Sequence, residues 1–357
     1  MALKDKELDS IRGHLDDCSK PLFYFDDDVD GLCSFLLLYR YKREGKGIIL
    51  KVAPEVKKEM ARKAVEFGAD KVFILDKPMV SDEFFDEIKA DIVWLDHHEV
   101  QDISHSNVHY FNPRKHEDSD NRPTTYWCYK VVDPKLEDKN NLWIAAVGCV
   151  GDWHLPDFFD RFREVFPELV GEDVKKPEDA YFASRLGELI RILSYILKGQ
   201  TTEVFKCIKI LTRIESPVEI LDQATDRGRF IYKKYLKEKE EYDSIMREIV
   251  EKHGPGDKKK GMIVHIYHAN KTSFTSDLSN ELLYMFPERI ILVGREKNEE
   301  IKLSLRSSKE HDLREALESA LTVAEGYGGG HRNACGANVK KRDFSQFVEK
   351  LRGELGV

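Results

Sequence analysis

The sequence has few features of a secreted or membrane protein. No apolar run approaches 18 residues, and no signal-peptide pattern stands at the N-terminus. Its 6 cysteines are scattered without a CxxC pair, which argues against a disulfide framework or a cysteine zinc site. A basic surplus is also missing, because the net charge is −8, and this disfavours a nonspecific nucleic-acid-coating protein. We therefore expect a cytoplasmic protein without a membrane partner.

The chain does have many charged residues. They make up 34% of the sequence, against about 25% in typical domains. With abundant Lys and Glu, this composition indicates a thermophilic source. A chain of 357 residues is long enough for two domains.

Strand and helix patterns alternate through the first hundred residues, which predicts a parallel sheet in an α/β fold. The predicted strands cover 21–25, 47–53, 71–75 and 92–95, and the helices cover 31–43, 55–67 and 81–89. Residues 159–252 are predicted to be mostly helical. A second α/β domain follows, with predicted strands at 262–267, 289–293 and 301–305.

An acidic cluster follows the first predicted strand and includes Asp26, Asp28 and Asp30. Such closely spaced carboxylates repel one another, so a folded crevice holds them only if cations neutralise them or some become protonated. Oxygen-rich sites with some imidazole suit Mn²⁺ or Mg²⁺. The alternative interpretation is an acidic cap on the following helix.

Three more apolar runs, all interpreted as strands, are also followed by acidic residues. Residues 72–75 lead into Asp76, residues 92–95 into Asp96-His97-His98, and residues 142–150 into Asp152. Successive strand ends converge on one edge of a doubly wound sheet. The set offers enough ligands for two metal ions, although any one of these residues alone is typical of a turn or a helix cap.

A glycine-rich stretch near the C-terminus is predicted to be an anion-binding loop. Gly328, Gly329 and Gly330 are followed by His331, and the motif Arg306-Ser307 lies upstream. Backbone N–H groups in such a run can approach an anion closely, and an arginine can bind phosphate with two parallel hydrogen bonds. A flexible loop is the alternative.

Together these motifs resemble the DHH phosphoesterase superfamily over residues 20–155 and its DHHA1 domain over residues 262–345. The resemblance implies three regions. Residues 1–158 would form a catalytic, metal-binding DHH domain, and residues 159–260 a helical connector with a charged helix and a linker. Residues 261–357 would form a smaller α/β DHHA1 domain that binds substrate through Arg306, Ser307, Gly328, Gly329, Gly330 and His331.

The same resemblance implies two-metal hydrolysis of phosphodiesters, with Mn²⁺ favoured and Mg²⁺ or Co²⁺ as alternatives. Asp96, His97 and His98 would be catalytic, with His98 either binding metal or contacting the scissile phosphate. The implied metal ligands are Asp26, Asp28, Asp30, Asp76, Asp96, His97 and Asp152.

The expected activity is a single-strand-specific exonuclease on DNA, RNA or short oligonucleotides, with 3′→5′ polarity favoured and nucleoside monophosphates as products. One alternative is a nano-RNase, a cyclic dinucleotide phosphodiesterase or a 3′-phosphoadenosine-5′-phosphate phosphatase. Another is a non-catalytic replication or repair scaffold. The charged helix around 225–252 is either an ordinary interdomain helix or an arm for self-association or a repair or replication partner.

Overall fold

The computed structural model of the chain describes residues 3–51, 55–133, 139–253, 261–268, 272–307 and 311–357. The chain divides into two units, Met1–Leu197 with Thr201–Lys234, and Lys198–Gln200 with Tyr235–Val357. Helices of the predicted connector at 159–260 are therefore shared between the two units. The predicted linker at 254–260 and the last part of the strand predicted at 47–53 lie outside the described residues.

The first unit is built on a parallel sheet of five strands in the order β2-β1-β4-β6-β7, with a two-stranded parallel pair, β3 and β5, beside it. This confirms the predicted fold class. Its strands are β1 (Pro21–Asp26), β2 (Lys46–Leu50), β3 (Glu55–Val56), β4 (Lys71–Leu75), β5 (Met79–Val80), β6 (Asp91–Leu95) and β7 (Val108–Phe111).

The register of this sheet brings three acids together. Phe25 of β1 pairs with Leu75 of β4, and Leu75 pairs in turn with Leu95 of β6. Asp26, Asp76 and Asp96 come next in sequence after these three residues. Because adjacent strands lie about 4.8 Å apart, the three carboxylates emerge side by side at one edge.

Helices follow or cover the strands of this unit, and their apolar residues bury both faces of the sheet. They are α1 (Asp5–Asp16), α2 (Val29–Lys42), α3 (Lys58–Phe67), α4 (Asp82–Glu87), α5 (Thr124–Val132), α6 (Lys139–Gly151), α7 (Phe159–Val165), α8 (Pro177–Phe182), α9 (Arg185–Ile196), α10 (Thr201–Leu211), α11 (Pro217–Leu221) and the first part of α12 (Asp226–His253). Within the described ranges, none of the helices combines the length and apolar composition needed to cross a bilayer.

The prediction of a strand at 142–150 is wrong, because these residues belong to helix α6. Every residue from Asn141 to Val150 is buried. Because the helix has no exposed face along these residues, its sequence lacks the alternation of polar and apolar residues that marks a surface helix. A short run that is apolar on all sides fits a buried strand and a buried helix equally well. Asp152 therefore follows a helix rather than a strand. It reaches the acidic edge from the end of α6 and not from the end of a strand.

The second unit contains a mixed five-stranded sheet in the order β11-β12-β10-β9-β8. The helices α14 and α15 pack on one face of this sheet, around Leu317 and Phe347. The elements of this unit after α12 are β8 (Met262–His268), α13 (Thr275–Met285), β9 (Ile290–Lys297), β10 (Glu300–Arg306), α14 (Leu313–Ala320), β11 (Gly326–His331), β12 (Ala334–Lys340) and α15 (Phe344–Leu355).

The glycine-rich stretch predicted to be a loop is instead the edge strand β11. It pairs antiparallel with β12, from Gly326 opposite Val339 to His331 opposite Ala334. Glycine has a low preference for strands, so the sequence alone favours a loop here. Main-chain hydrogen bonds to β12 override that preference and leave the other backbone edge of β11 exposed.

We expect two glycine substitutions to separate packing from helix propensity. A Cβ on Gly148 of α6 would lie 2.8 Å from the Cβ of Cys33 in α2, whereas one on Gly13 of α1 meets no atom within 4 Å. Gly13→Ala should raise the free energy of unfolding by up to about 1 kcal/mol. Gly148→Ala should lower it by about 1–3 kcal/mol through overpacking. Urea unfolding followed by circular dichroism measures both, and effects of equal sign would contradict this packing of α6.

Candidate metal centre

The turn between β1 and α2 places two carboxylates at the start of a helix. Asp28 is the N-cap of α2, and its Oδ1 accepts a hydrogen bond of 2.9 Å from the N–H of Gly31. Asp30 lies in the first turn and is only 2% exposed. A Cβ on Gly31 would lie 2.6 Å from the backbone nitrogen of Asp26, so the tight approach of strand and helix requires glycine there.

The N-terminus of α5 fixes Asp30. The N–H groups of Thr124 and Thr125 donate to its two carboxylate oxygens at 2.9 Å and 2.7 Å. The hydroxyl of Thr124 also donates to Asp76 Oδ1 at 3.3 Å. The threonine pair therefore holds two acids of the cluster through a helix N-terminus, which favours negative charge.

Asp76 and Asp96 end their strands in different ways. Asp76 is 1% exposed and adopts φ of +58°, a left-handed conformation that costs a non-glycine residue on the order of 1 kcal/mol. Asp96 is fully buried, and its Oδ1 lies 2.8 Å from Nδ1 of His98. Asn112 donates to Asp96 Oδ2 at 3.3 Å. Asp96 thus orients the His98 ring, whose side chain is 42% exposed.

Three groups of potential ligands meet at this edge, with the ligand atoms of each group within 4.8 Å of one another. The groups share members, because Asp76 belongs to two of them and His97 to two. Nε2 of His97 lies 3.5 Å from Asp76, 3.7 Å from Asp152 and 3.9 Å from Asp30. The groups are Asp26–Asp28–Asp76, Asp76–His97–His98 and Asp30–His97–Asp152.

Crowding of these groups changes their protonation. Protein atoms around the Asp28 carboxyl, followed by the charges of Asp26 and Asp30, raise its pKa to about 7, although the residue is reached by solvent from the open side of the crevice. Burial and the Asp30 charge raise the pKa of Asp76 and of Asp152 well above its usual range. In the protein without metal, a cluster of this kind holds protons in place of cations.

The pKa values of His97 and His98 are shifted in opposite directions. Burial lowers the pKa of His97, which keeps the ring neutral and able to act as a ligand. Burial alone would also lower the pKa of His98, but the hydrogen bond to Asp96 and the charges of Asp96, Asp28 and Asp30 together outweigh it and raise the pKa. His97 therefore suits metal binding, and His98 suits proton donation.

The residues present fit divalent metal ions. The donor set is carboxylate oxygen and imidazole without sulfur, which suits Mn²⁺, Mg²⁺ and similar ions. Three of the acids have raised pKa values, so a bound cation would release protons from them while offsetting their mutual repulsion. Asp96 belongs to none of the three groups at this edge, so its predicted role as a direct ligand stays a prediction.

Lys77 is a residue of this site that the sequence reasoning missed. Its side chain is 1% exposed, and its Nζ donates to Asp26 Oδ1 at 3.0 Å. The Nε1 of Trp94 donates to the backbone carbonyl of Lys77 at 3.0 Å and holds the backbone at that residue in place. The one available signal was a lysine directly after Asp76. A buried ammonium paired with Asp26 offsets one charge of the cluster. The predicted role of Asp26 as a metal ligand stays a prediction, since Asp26 also belongs to one of the ligand groups.

The predicted substrate residues of the second unit differ in access. Ser307 is buried, and its N–H donates to the carbonyl of Asn333 at 3.1 Å. Arg306 donates through Nε to Asn280 at 2.6 Å and through Nη1 to Ser304 at 3.0 Å. Gly328, Gly329, Gly330 and His331 lie exposed along β11. A Cβ on Gly329 would meet nothing within 4 Å, so the fold itself does not require glycine there.

A second histidine cluster lies at the opposite end of the parallel sheet. The rings of His14 and His109 are 4.3 Å apart, and both lie near Asp91. Lys71 supplies a cation there, because its Nζ is 3.0 Å from Nδ1 of His14 and 3.7 Å from the Asp91 carboxylate. This cluster therefore has its own positive charge, unlike the Asp30–Asp152 part of the metal centre.

Two family models match this chain. Residues 22–150 match the DHH family, N-terminal domain, and residues 260–356 match the DHHA1 domain. No curated protein sequence matches the chain.

Solved structures show the same fold at low identity. RecJ of Thermus thermophilus with Mn²⁺ has a TM-score of 0.69 and 15% identity, over 100% of this chain and 55% of that one. An exonuclease RecJ bound to manganese has a TM-score of 0.66 and 16% identity, over 100% and 96%. The pGpG-specific phosphodiesterase PggH of Vibrio cholerae has a TM-score of 0.50 and 14% identity, over 95% and 99%. The present chain thus spans about half of the Thermus RecJ chain.

Fold and family matches together define an α/β protein with a DHH domain and a separate DHHA1 domain. The chain belongs to the DHH/DHHA1 phosphoesterase superfamily. The resemblance and the fold class predicted from the sequence are both confirmed.

We expect Lys77→Met to destabilise the metal-free protein and to tighten divalent-metal binding. The substitution removes the cation that offsets Asp26, and losing a buried charge partner costs about 1–3 kcal/mol at a partly exposed pair. Urea unfolding in EDTA and Mn²⁺ titration by calorimetry measure the two effects. Lys58→Met is the matched control, because Lys58 pairs with Glu87 at the surface. Equal Mn²⁺ affinity in wild type and Lys77→Met would contradict this role.

We also expect a pH-dependent effect of Asp28→Asn in EDTA. A carboxyl whose pKa rises from 3.8 to about 7 on folding loses stability as pH increases through that window, because the folded state binds the proton more tightly. The free energy of unfolding of Asp28→Asn, minus that of wild type, should therefore rise by more than about 1 kcal/mol between pH 5 and pH 8. Asparagine is also a good N-cap, so α2 should persist.

The comparison uses the difference between variant and wild type, because histidine titrations common to both then cancel. Thermal unfolding at matched ionic strength gives this difference, and Asp118→Asn at an exposed position is the control. Saturating Mn²⁺ should reverse the sign, since wild type keeps a metal ligand that the variant lacks. A gain that is the same at pH 5 and pH 8 would refute the raised pKa of Asp28.

Proposed function

We propose that the protein is a divalent-metal-dependent phosphodiesterase, and that its substrate is the end of a single-stranded DNA or RNA. One observation carries the proposal: three linked ligand groups lie at the carboxyl edge of the parallel sheet, where α/β folds bind their ligands. Two solved structures with this fold support the proposal, because both are of RecJ, one of them is described as an exonuclease, and manganese is bound in both.

The residues that would hold metal are Asp28, Asp30, Asp76, His97 and Asp152, with Mn²⁺ favoured. Asp76 and His97 each belong to two ligand groups, so each would contribute to holding the metal. Bound divalent ions would supply Lewis-acid stabilisation of phosphoryl charge and a nucleophile at neutral pH. The chain itself would keep the ligands oriented, through Thr124 and Thr125 on Asp30.

His98 is proposed to contact the reacting phosphate. The His98 side chain is 42% exposed, whereas that of His97 is only 13% exposed, and the Asp96 carboxylate holds Nδ1 of His98. That hydrogen bond leaves Nε2 for the substrate. Against the effect of burial, the bond and the charges of Asp96, Asp28 and Asp30 together raise the pKa of His98, so the ring stays protonated at higher pH than an ordinary histidine. A protonated imidazole at this position would donate a hydrogen bond to a phosphoryl oxygen, or a proton to the leaving oxygen.

The second unit is proposed to bind the nucleotide at β11. Gly329 has no steric reason to be glycine, and its missing side chain exposes the backbone beside His331. A phosphate can approach such a backbone closely, and His331 can donate to it. Because the proposed substrate is the end of a single-stranded nucleic acid, we favour exonucleolytic release of nucleoside monophosphates. The first hypothesis for its polarity is 3′→5′.

A small-substrate activity is the second candidate. The similarity to the pGpG-specific phosphodiesterase extends over 95% of this chain and 99% of that one. Dinucleotides or cyclic dinucleotides would then be preferred over long strands. Substrate length separates the two candidates without any further assumption.

The decisive assay follows single-stranded oligonucleotides of two to about thirty nucleotides, labelled at either end, with Mn²⁺. Wild type should shorten long strands stepwise, and the label lost first gives the polarity. Asp76→Asn should reduce the rate by at least about 100-fold, because it removes a ligand from two groups. Asp91→Asn, at the start of the neighbouring strand β6, is the matched control and should cleave normally.

Cleavage restricted to substrates of two to four nucleotides would move the protein to the small-substrate class. Absence of cleavage with Mn²⁺, Mg²⁺ and Co²⁺ would overturn the proposed activity and favour a non-catalytic scaffold. A role of α12 in self-association or in docking a repair or replication protein stays a prediction.

A further inference from the structure

A cavity lined by arginines lies in the first unit, away from the metal centre. It has a volume of about 450 Å³, which lies within the range of small-molecule sites. Four of its seven lining residues are arginines, and one carboxylate accompanies them. The lining residues are Tyr39, Arg40, Arg43, Thr212, Arg213, Glu215 and Arg227.

Helix α2 separates this cavity from the acids. Asp28 caps the N-terminus of the helix, and Arg43 is the residue that ends it. A helix of 14 residues is about 20 Å long, so the cavity and the metal centre are distinct sites.

Two of the arginines are held in place by backbone carbonyl groups. Arg40 Nη1 donates to the carbonyl of Ile214 at 2.8 Å, and Arg227 Nη1 donates to the carbonyl of Arg213 at 2.6 Å. Arg227 also lies 3.5 Å from Glu219. These contacts fix the wall of the cavity, and they bring the segment after α10 against the end of α2.

The guanidinium groups of the other two arginines, Arg43 and Arg213, are available to bind a ligand. Throughout the part of the chain that the structure describes, the guanidinium groups of Arg43 and Arg213 make no hydrogen bond or ion pair. Guanidinium groups that gather round one cavity repel one another, and an anion would offset that repulsion.

We infer that this cavity binds phosphate groups, from a free nucleotide or from a nucleic-acid strand. A carboxylate has two oxygens and satisfies a single arginine fork, whereas a phosphate presents three or four oxygens and can accept from several. The hydroxyl group of Tyr39 adds one further donor, whereas that of Thr212 already donates to the carbonyl of Lys209 at 2.9 Å. Inorganic pyrophosphate and a strand would be recognised by the same chemistry, and the experiment separates them.

The test measures binding to the full chain in EDTA, where the metal centre neither turns over nor holds phosphate through metal. Isothermal calorimetry would follow pyrophosphate, and single-stranded oligonucleotides of 4 and 20 nucleotides. Arg43→Gln with Arg213→Gln should weaken binding on the order of tenfold or more, because each lost charge-assisted hydrogen bond is worth that much. Glutamine keeps side-chain bulk, and circular dichroism verifies the fold.

The matched control is Arg62→Gln with Arg314→Gln, which removes the same charge from exposed helix positions. Weaker pyrophosphate binding in the cavity variant alone identifies a site for free phosphates. Weaker binding of the 20-nucleotide strand alone, with a shallower salt dependence, identifies a strand contact. Equal binding by both double variants, or no binding of any probe by wild type, overturns the proposal. No catalysis is involved, so this result is independent of the proposed activity.

Discussion

The mutual repulsion of carboxylates at one sheet edge is the constraint on which the rest of this structure depends. The register of β1, β4 and β6 brings Asp26, Asp76 and Asp96 out next to one another, and the start of α2 adds Asp28 and Asp30. A low-dielectric crevice cannot hold so many ionised acids without compensation. Each neighbouring element is arranged so that it either neutralises one acid or leaves it for a cation.

That compensation is distributed among several kinds of partner. A helix N-terminus serves Asp30, a buried ammonium serves Asp26, and His98 serves Asp96. Asp76 and Asp152 have no such cation within the described ranges, and both carry a raised pKa because burial and Asp30 disfavour their charge. Backbone strain gathers at the same place, since Asp76 and Trp153, the residue after Asp152, each have φ of +58°. Folding energy from the buried sheet has to cover that strain.

Much of this arrangement could be predicted from the sequence, because buried parallel strands are short apolar runs and the residue after each run lies at the functional edge. The prediction failed at 142–150, where an apolar run on every side gives no period to distinguish helix from strand. It also failed at the glycines of β11, where pairing with β12 decides the conformation. Lys77 and Asn112 were missed because their partners are set by strand register, which sequence spacing does not reveal.

Charge separation along α2 makes a net charge of −8 compatible with the proposed binding of polyanions. The positive end of the helix dipole lies beside Asp28 and Asp30, and the negative end lies beside Arg40 and Arg43. Acids at the first end attract divalent cations, which would in turn attract phosphate, while the second end is positive by itself. At ionic strengths where screening acts over about 10 Å, a ligand near either end responds to the local charge rather than to the total. Net charge therefore says little about which anions this fold can hold.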